Sequence, residues 1–243
     1  MFLAAEFVLA GLTAAGLRFI VAPYGRHTRS GWGPTISARA GWVIMESPAS
    51  LLFLAFYLTG DHRAELVPLV FLGLWQLHYA QRAFVYPFLM RAGNRMPIAI
   101  TAMAIAFNTL NAYVNAVWIS QIGRYAPDWL TDPRFLTGVT LFFSGMLLNH
   151  HSDHVLRNLR SPGETAYKIP RGGAYRWVSS PNYLGEIVEW LGWALATWSL
   201  AGLAFAAYTM ANLVPRALAN HQWYRERFPD YPAERHALIP YVR

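Results

Sequence analysis

The chain of 243 residues has no cysteine, one lysine (Lys168) beside nineteen arginines, and only 14% charged residues. Without cysteine there is no disulfide, thiolate metal site, iron–sulfur cluster or cysteine nucleophile. An ordinary soluble domain carries roughly 25% charged residues, so the low charge content excludes a disordered chain and a coiled coil. Also missing are the G-x-G-x-x-G and P-loop signatures and any βαβ pattern, which leaves a nucleotide only sites outside the usual folds. The N-terminus, Met1-Phe2-Leu3-Ala4-Ala5-Glu6, lacks the basic region of a secretory signal, so the first apolar stretch reads as a retained span. No internal repeat and no low-complexity segment is visible.

What is present points to a membrane. Hydrophobic residues make up 55% of the chain, with ten Trp and thirteen Tyr, and the mean hydropathy is +0.23. Seven spans of ~20 residues need ~140 positions, close to the apolar content available. Apolar runs cover 2–22, 40–59, 66–90, 97–121, 134–156, 183–199 and 201–221. Between them stand turn and breaker residues, among them Gly33-Pro34, Gly60-Asp61, Gly93-Asn94, Pro127, Pro162-Gly163 and Gly172-Gly173. These runs predict an all-α, multi-pass membrane protein of seven transmembrane helices, a single domain over 1–243. The last two runs are joined only by Ser199-Leu200-Ala201-Gly202, which predicts an antiparallel hairpin.

The charge of +7 and a pI near 9.9 would point to nucleic acid in a soluble protein; here they report basic loops, and no nucleic-acid partner is expected. The loops after runs one, three and five, with the C-terminal tail, hold Arg26, Arg29, Arg39, Arg91, Arg95, Arg157, Arg160, Lys168, Arg171, Arg176, Arg225, Arg227, Arg235 and Arg243. The opposite side holds Arg63, Arg124 and Arg134. This bias places the N-terminus outside and the C-terminus in the cytoplasm.

Ionisable residues inside a span cost roughly 2.5–3.5 kcal/mol on insertion scales and are functional candidates. Glu46 lies about two turns into the second run, where burial disfavours a charged carboxylate; an interhelical hydrogen bond is the plainer account of it. In the third run Tyr79, Arg82 and Tyr86 share a helix face, and an inert Arg82–Glu46 salt bridge would explain both charges without chemistry. Asn149, Asp153, Leu156 and Arg160 fall on one stripe that leaves the membrane into basic loop five. His150 and His154 have a spacing able to chelate a metal, but the other histidines are scattered, and no metal is expected. Loop five combines cations, prolines and a Gly pair. It can hold a phosphate, or simply attract anionic lipid. Glu186 and Glu189 follow at i, i+3, with Glu186 placed to meet the loop-five cations.

Several strings resemble the steroid 5α-reductase family. They are Leu77-His78-Tyr79-x-x-Arg82-x-Phe84-Val85-Tyr86, Asn149-x-His151-Ser152-Asp153 through Arg160-x-Pro162-Gly163-Glu164, and Tyr167-Lys168-Ile169-Pro170-x-Gly172-Gly173. Asn182-Tyr183-Leu184-Gly185-Glu186-x-x-Glu189-Trp190 and the block from His221 through Tyr224, Arg235 and Pro240 complete the set. The last block is the least specific, because sterol reductases and isoprenylcysteine-type methyltransferases share a similar ending.

The resemblance implies a seven-helix enzyme that uses NADPH to reduce the 4,5 double bond of 3-oxo-4-ene steroids. By motif position, Glu46 and Tyr79 would hold the 3-keto oxygen, with Trp42 packing on the steroid body. Asn149, Asp153, Arg160, Tyr167, Lys168, Asn182, Glu186, His221, Tyr224 and Arg235 would serve the cofactor, most of them in the C-terminal half from about 145 to 243. Arg95 would reach the phosphates from loop three. Lys168 stands where the family often has Arg, which keeps the charge but loses the planar fork. A methyltransferase using S-adenosylmethionine and a non-catalytic sterol-binding protein stay open as alternatives. The expected partners are a steroid or other enone lipid and membrane lipids, with a monomer sufficient. The Ala/Arg-rich, nearly lysine-free composition favours a bacterial inner membrane over the endoplasmic reticulum.

Overall fold

The computed structural model describes residues 1–90, 94–161, 163, 164 and 166–240. Arg91, Gly93, Pro162 and Arg243, named above, lie outside the described residues. The long helices are α1 (Phe2–Phe19), α2 (Ala38–Leu58), α3 (Leu66–Ala80), α5 (Ile98–Val117), α6 (Pro133–Asn158), α7 (Pro181–Thr197) and α8 (Leu200–Arg227). A short α4 (Tyr86–Leu89) continues α3 through a π-helical turn, Gln81–Val85, and a second π turn, Trp118–Ile122, extends α5. The seven apolar runs thus become seven helical rods. Among the described residues, α1, α2 and α5 with its π turn are long and apolar enough to cross a membrane by length and composition.

The helix ends follow the local chemistry. Ser37, Asp132 and Ser199 cap α2, α6 and α8 by accepting from the backbone nitrogens of Ala40 (3.1 Å), Arg134 (2.8 Å) and Gly202 (2.8 Å). Pro133 and Pro181 open α6 and α7, where a missing N–H costs nothing. The π turn has its cause in Pro87, which cannot donate to the turn before it. The Tyr86 amide instead bonds back to Gln81, widening the helix by one residue. Between α7 and α8 the chain reverses at Trp198, held in the left-handed region at φ 45°, which gives the hairpin that the short connection predicts.

The expectation of a purely helical chain needs one correction. Thr35–Ser37 (β1) and Arg95–Pro97 (β2) pair antiparallel, Ile36 opposite Met96. Three residues per strand are too few to show an alternating pattern in sequence. The ribbon ties the start of α2 to the start of α5.

Two contacts organise the bundle. The first is an aromatic core in which Trp75 stacks on Phe53 at 4.3 Å and meets Trp193 and Trp190 at 5.3 and 5.6 Å. The indole N–H groups of Trp75 and Trp193 donate to the Ala49 carbonyl (2.7 Å) and to the Asn115 side-chain oxygen (3.0 Å). The second is the close approach of α6 and α7 through Gly138 and Gly145 on one helix and Gly185 and Gly192 on the other. A Cβ on Gly145 would collide with the Glu189 backbone nitrogen, and one on Gly185 with that of Asn149. Small residues let membrane helices approach closely where no hydrophobic force draws them together. The contact fixes Asn149 and Asp153 opposite Asn182 and Glu186. Gly185→Val is therefore expected to lower the thermal midpoint in detergent sharply, whereas exposed Gly73→Ala, which meets nothing within 4 Å, leaves it nearly unchanged.

Candidate active site

A cavity of about 1440 Å³ runs through the bundle, lined by α1, α2, α3, α5, α6, α7 and α8. Glu46, Tyr79, Trp42, Arg95, Asn149, Asp153, Arg160, Tyr167, Asn182 and Glu186 all line it. Lys168, His221, Tyr224 and Arg235 do not. Lys168 is exposed and pairs with Glu164 at 2.7 Å. The His221 ring bonds Ser179 at 2.6 Å, and Tyr224 lies stacked on Tyr231 at 5.2 Å.

At the inner end, Arg82 is the hub. Its guanidinium lies 3.4 Å from Glu186 and 4.0 Å from Glu46, over the rings of Trp42 (4.6 Å) and Tyr86 (5.0 Å). Two expectations change here. Glu186 meets Arg82 and not the loop-five cations, because Pro181 starts α7 early enough to carry residue 186 a turn into the bundle. Trp42 lines the cavity, yet one of its faces is already under Arg82. Asn108 donates to the Met45 carbonyl (2.6 Å) and to Glu46 (3.4 Å), steadying that carboxyl. Tyr79 is buried and lies within electrostatic reach of Glu46. Behind it, His78 bonds Glu189 across helices α3 and α7 at 2.6 Å, both buried.

The outer end is rich in donors. Asn149 donates to the Asn182 carbonyl (3.0 Å) and Asn182 to Asp153 (3.1 Å), so α6 and α7 present one amide–carboxylate edge. The C-terminal tail is stitched below it, with the Ser179 and Ser180 amides donating to the carbonyls of His236 (2.9 Å) and Ala237 (3.2 Å). Arg95 is anchored on Thr35 through both side chain (2.7 Å) and backbone (2.6 Å), and Arg160 lies over Tyr167 at 4.9 Å. Buried donors remain unmatched: Tyr175 Oη, Arg26 Nη1, and Arg235 Nε and Nη1 have no hydrogen-bond partner among the described residues. Unmet buried donors cost roughly 1–3 kcal/mol each, and a cluster of cationic and phenolic ones fits a ligand with many anionic acceptors.

Sequence reasoning missed Arg26, Tyr175, Arg216 and Asn220, all on this wall. Arg216 is buried in α8, bonded to the Tyr183 hydroxyl (2.8 Å) and over Tyr24 at 3.6 Å. Its place inside the seventh run was the available signal. His27, in the loop after α1, bonds Asn220 at 3.0 Å. Burial, with the neighbouring arginines, pushes its imidazole below the usual value, which keeps it a neutral partner for that amide. On α6, His154 bonds Asn158 at 2.9 Å.

A helical, membrane-type bundle with a deep cavity, acidic and phenolic within and donor-rich at its mouth, defines a membrane protein built around a buried ligand site, and the comparisons make it specific. The family model described as 3-oxo-5-alpha-steroid 4-dehydrogenase matches residues 94–243. A 3-oxo-5-alpha-steroid 4-dehydrogenase 1 of Bos taurus is 47% identical over 230 residues, covering 93% of this chain and 90% of the relative. That of Homo sapiens is 47% identical over 221 residues (90% and 85%), and a steroid 5-alpha-reductase of Solanum lycopersicum is 46% identical over 230 residues (93% and 89%). The chain belongs to the 3-oxo-5-alpha-steroid 4-dehydrogenase family, and is an oxidoreductase of steroid metabolism with membrane character.

The His78–Glu189 pair yields a stability test. Removing one partner of a buried hydrogen-bonded pair leaves the other's polar group unmatched and costs about 1–3 kcal/mol. Glu189→Ala and His78→Ala are each expected to destabilise the detergent-solubilised protein on that scale, and the double variant by clearly less than the two combined.

Proposed function

We propose that the protein reduces the 4,5 double bond of 3-oxo-4-ene steroids with NADPH, hydride passing to carbon 5 while Glu46 and Tyr79 hold the 3-keto oxygen. The observation that carries this reading is the pairing, in one cavity, of a carboxyl and a phenol at the inner end with unmatched buried donors at the outer end. The relatives' named activities favour it over methyl transfer or sterol binding without turnover.

NADPH, when bound, supplies the hydride. Arg95, Asn149, Asp153, Arg160, Tyr167 and Asn182 would hold it from the cavity wall, joined by Arg26 and Tyr175. Arg235 and Tyr224 would support them from behind, with Lys168, Glu186 and His221 at the margin.

The chain's own groups then act on the substrate carbonyl. As negative charge grows on the oxygen, the Tyr79 hydroxyl and the Glu46 carboxylic acid each donate a hydrogen bond to it in a site closed to water. Asn108 fixes the Glu46 carboxyl in place. Glu186, closer to Arg82 than Glu46 is, takes the larger share of the guanidinium and leaves Glu46 free to act as an acid. A proton at carbon 4 completes the reduction.

The same reading sends all seven rods across the membrane, N-terminus outside and C-terminus cytoplasmic, as a monomer in a bacterial inner membrane. Purified protein in detergent should oxidise NADPH only when a 3-oxo-4-ene steroid is present, and release the 5α product. No steroid-dependent oxidation across a panel of such steroids overturns the proposal. Loss of one oxyanion donor typically costs about 10²–10³ in kcat. Glu46→Gln should therefore lower kcat on that scale with little change in NADPH affinity, while Arg160→Ala should chiefly weaken NADPH binding.

A further inference from the structure

The reduction needs a proton at carbon 4, and the cavity wall carries a buried acid–base pair to which the proposed chemistry gives no task. His78 lines the cavity beside Tyr79, whereas Glu189 does not. Their contact is 2.6 Å, from His78 Nδ1 to Glu189 Oε1, with the side chains 8% and 1% exposed. The imidazole is therefore the cavity-facing member, and the carboxyl lies behind it. His78 Nε2 has no hydrogen-bond partner among the described residues, yet it is not one of the sealed, unmatched polar atoms, so it opens on the cavity. Tyr79 at 4.8 Å and Trp190 at 4.5 Å clamp the ring edge to face.

A carboxyl bonded to one ring nitrogen fixes the orientation of the imidazole and the role of the other nitrogen. Such a pair adds little to stability, since well-packed hydrocarbon of the same volume often does as well. The neighbouring groups are also committed elsewhere. In the reductase reading Glu46 and Tyr79 hold the ketone oxygen. Arg82 does not release a proton, and Glu186, 3.4 Å from the guanidinium, is its counter-ion. Tyr86 lends its ring to the same guanidinium at 5.0 Å, and a phenol is ordinarily a weaker acid than a protonated imidazole. Carbon 4 is two bonds from the ketone oxygen, so its proton donor belongs beside Tyr79, where His78 stands.

We infer that His78 is the catalytic acid that protonates carbon 4, with Glu189 as the positioning residue behind it. The inference rests on the reductase reading. Before the step, the pair holds one proton on Nε2 and one shared between Nδ1 and Glu189. Hydride from NADPH, which is oxidised to NADP⁺, forms the new bond at carbon 5 and leaves an enolate. The enolate's electron pair then takes the Nε2 proton: a C–H bond forms at carbon 4, the Nε2–H bond breaks, and the carbonyl is restored. The pair keeps the Nδ1 proton and is left with one negative charge on Glu189. A solvent proton reloads Nε2 after the product leaves.

The test runs the reaction in D2O with a 3-oxo-4-ene steroid and locates deuterium in the product by NMR. Wild-type protein should label one face of carbon 4 only, because the donor is fixed. His78→Asn keeps an amide to bond Glu189 but has no acid in place of Nε2. Its kcat should fall about 10²-fold, the lower range for a general acid, with KM within about twofold and label spread over both faces. Glu189→Gln should lower kcat about tenfold at unchanged KM and keep the label on one face, a split that a purely structural role does not produce. Wild-type kcat or one-face labelling in folded His78→Asn, or two-face labelling by wild type, overturns the inference. A second measurement needs no hydride. With NADP⁺ and the saturated 3-oxo-5α-steroid in D2O, wild-type protein should exchange one carbon-4 hydrogen about 10²-fold faster than buffer, and Glu189→Gln should slow that exchange. Exchange at the buffer rate also overturns the inference. Absent NADPH oxidation with any such steroid overturns the reductase reading instead, and exchange still reads the pair.

Discussion

A guanidinium in a hydrocarbon-like interior must be surrounded or it is expelled, and the centre of this protein is arranged around meeting that demand for Arg82. Two carboxyl groups and two aromatic faces converge on it: Glu46 and Trp42 from α2, Glu186 from α7, Tyr86 from its own rod. Each is there only because the helix bearing it is held at the right height. The π turn after α3 is part of that fitting, since it lies at Arg82 itself and lets the rod continue into Pro87. Charge satisfaction and helix register are one constraint in this bundle.

The α6–α7 contact translates the constraint into a site. Backbones that touch through Gly145 and Gly185 leave no slack for sliding, so the Asn149–Asn182–Asp153 edge and the Glu186–Arg82 pair keep a fixed separation. Larger residues at the glycines would widen the helix pair and pull Glu186 away from Arg82. The stitching of the C-terminal tail beneath Ser179 and Ser180 then closes the outer end. Sequence-distant blocks thereby share one wall, with Arg26 from the first loop lying over Tyr224 at 4.5 Å.

Much of this was legible in the sequence, for identifiable reasons. Apolar runs with glycine and proline between them located all seven rods, because hydrophobic length is a coarse signal that tolerates boundary errors. The stripe of Asn149, Asp153, Leu156 and Arg160 lines the cavity as its helical spacing implies. What escaped was whatever depends on a partner far along the chain. Nothing near Glu186 indicates that Arg82 rather than loop five will meet it, and three-residue strands have too little pattern to register. Arg216 and Glu6 were present as isolated charges in apolar runs but blended into segments read for their hydrophobicity.

Arg216 and Arg82 show how the cavity is graded. Arg216, near the loop end of α8, spends its charge on Tyr183, Tyr24 and backbone carbonyls, extending a cationic mouth suited to anions. At the inner end lies Arg82, with Glu186 and Glu46 at 3.4 and 4.0 Å. On the proposed reading a ligand with phosphates, such as a dinucleotide, would be drawn to one end and a neutral lipid with sparse oxygens to the other. Their reacting parts would then meet where Glu46 and Tyr79 stand. Order of charge along one cavity, rather than any single residue, is what would let a membrane bundle bring a water-soluble reductant and an apolar substrate together as proposed.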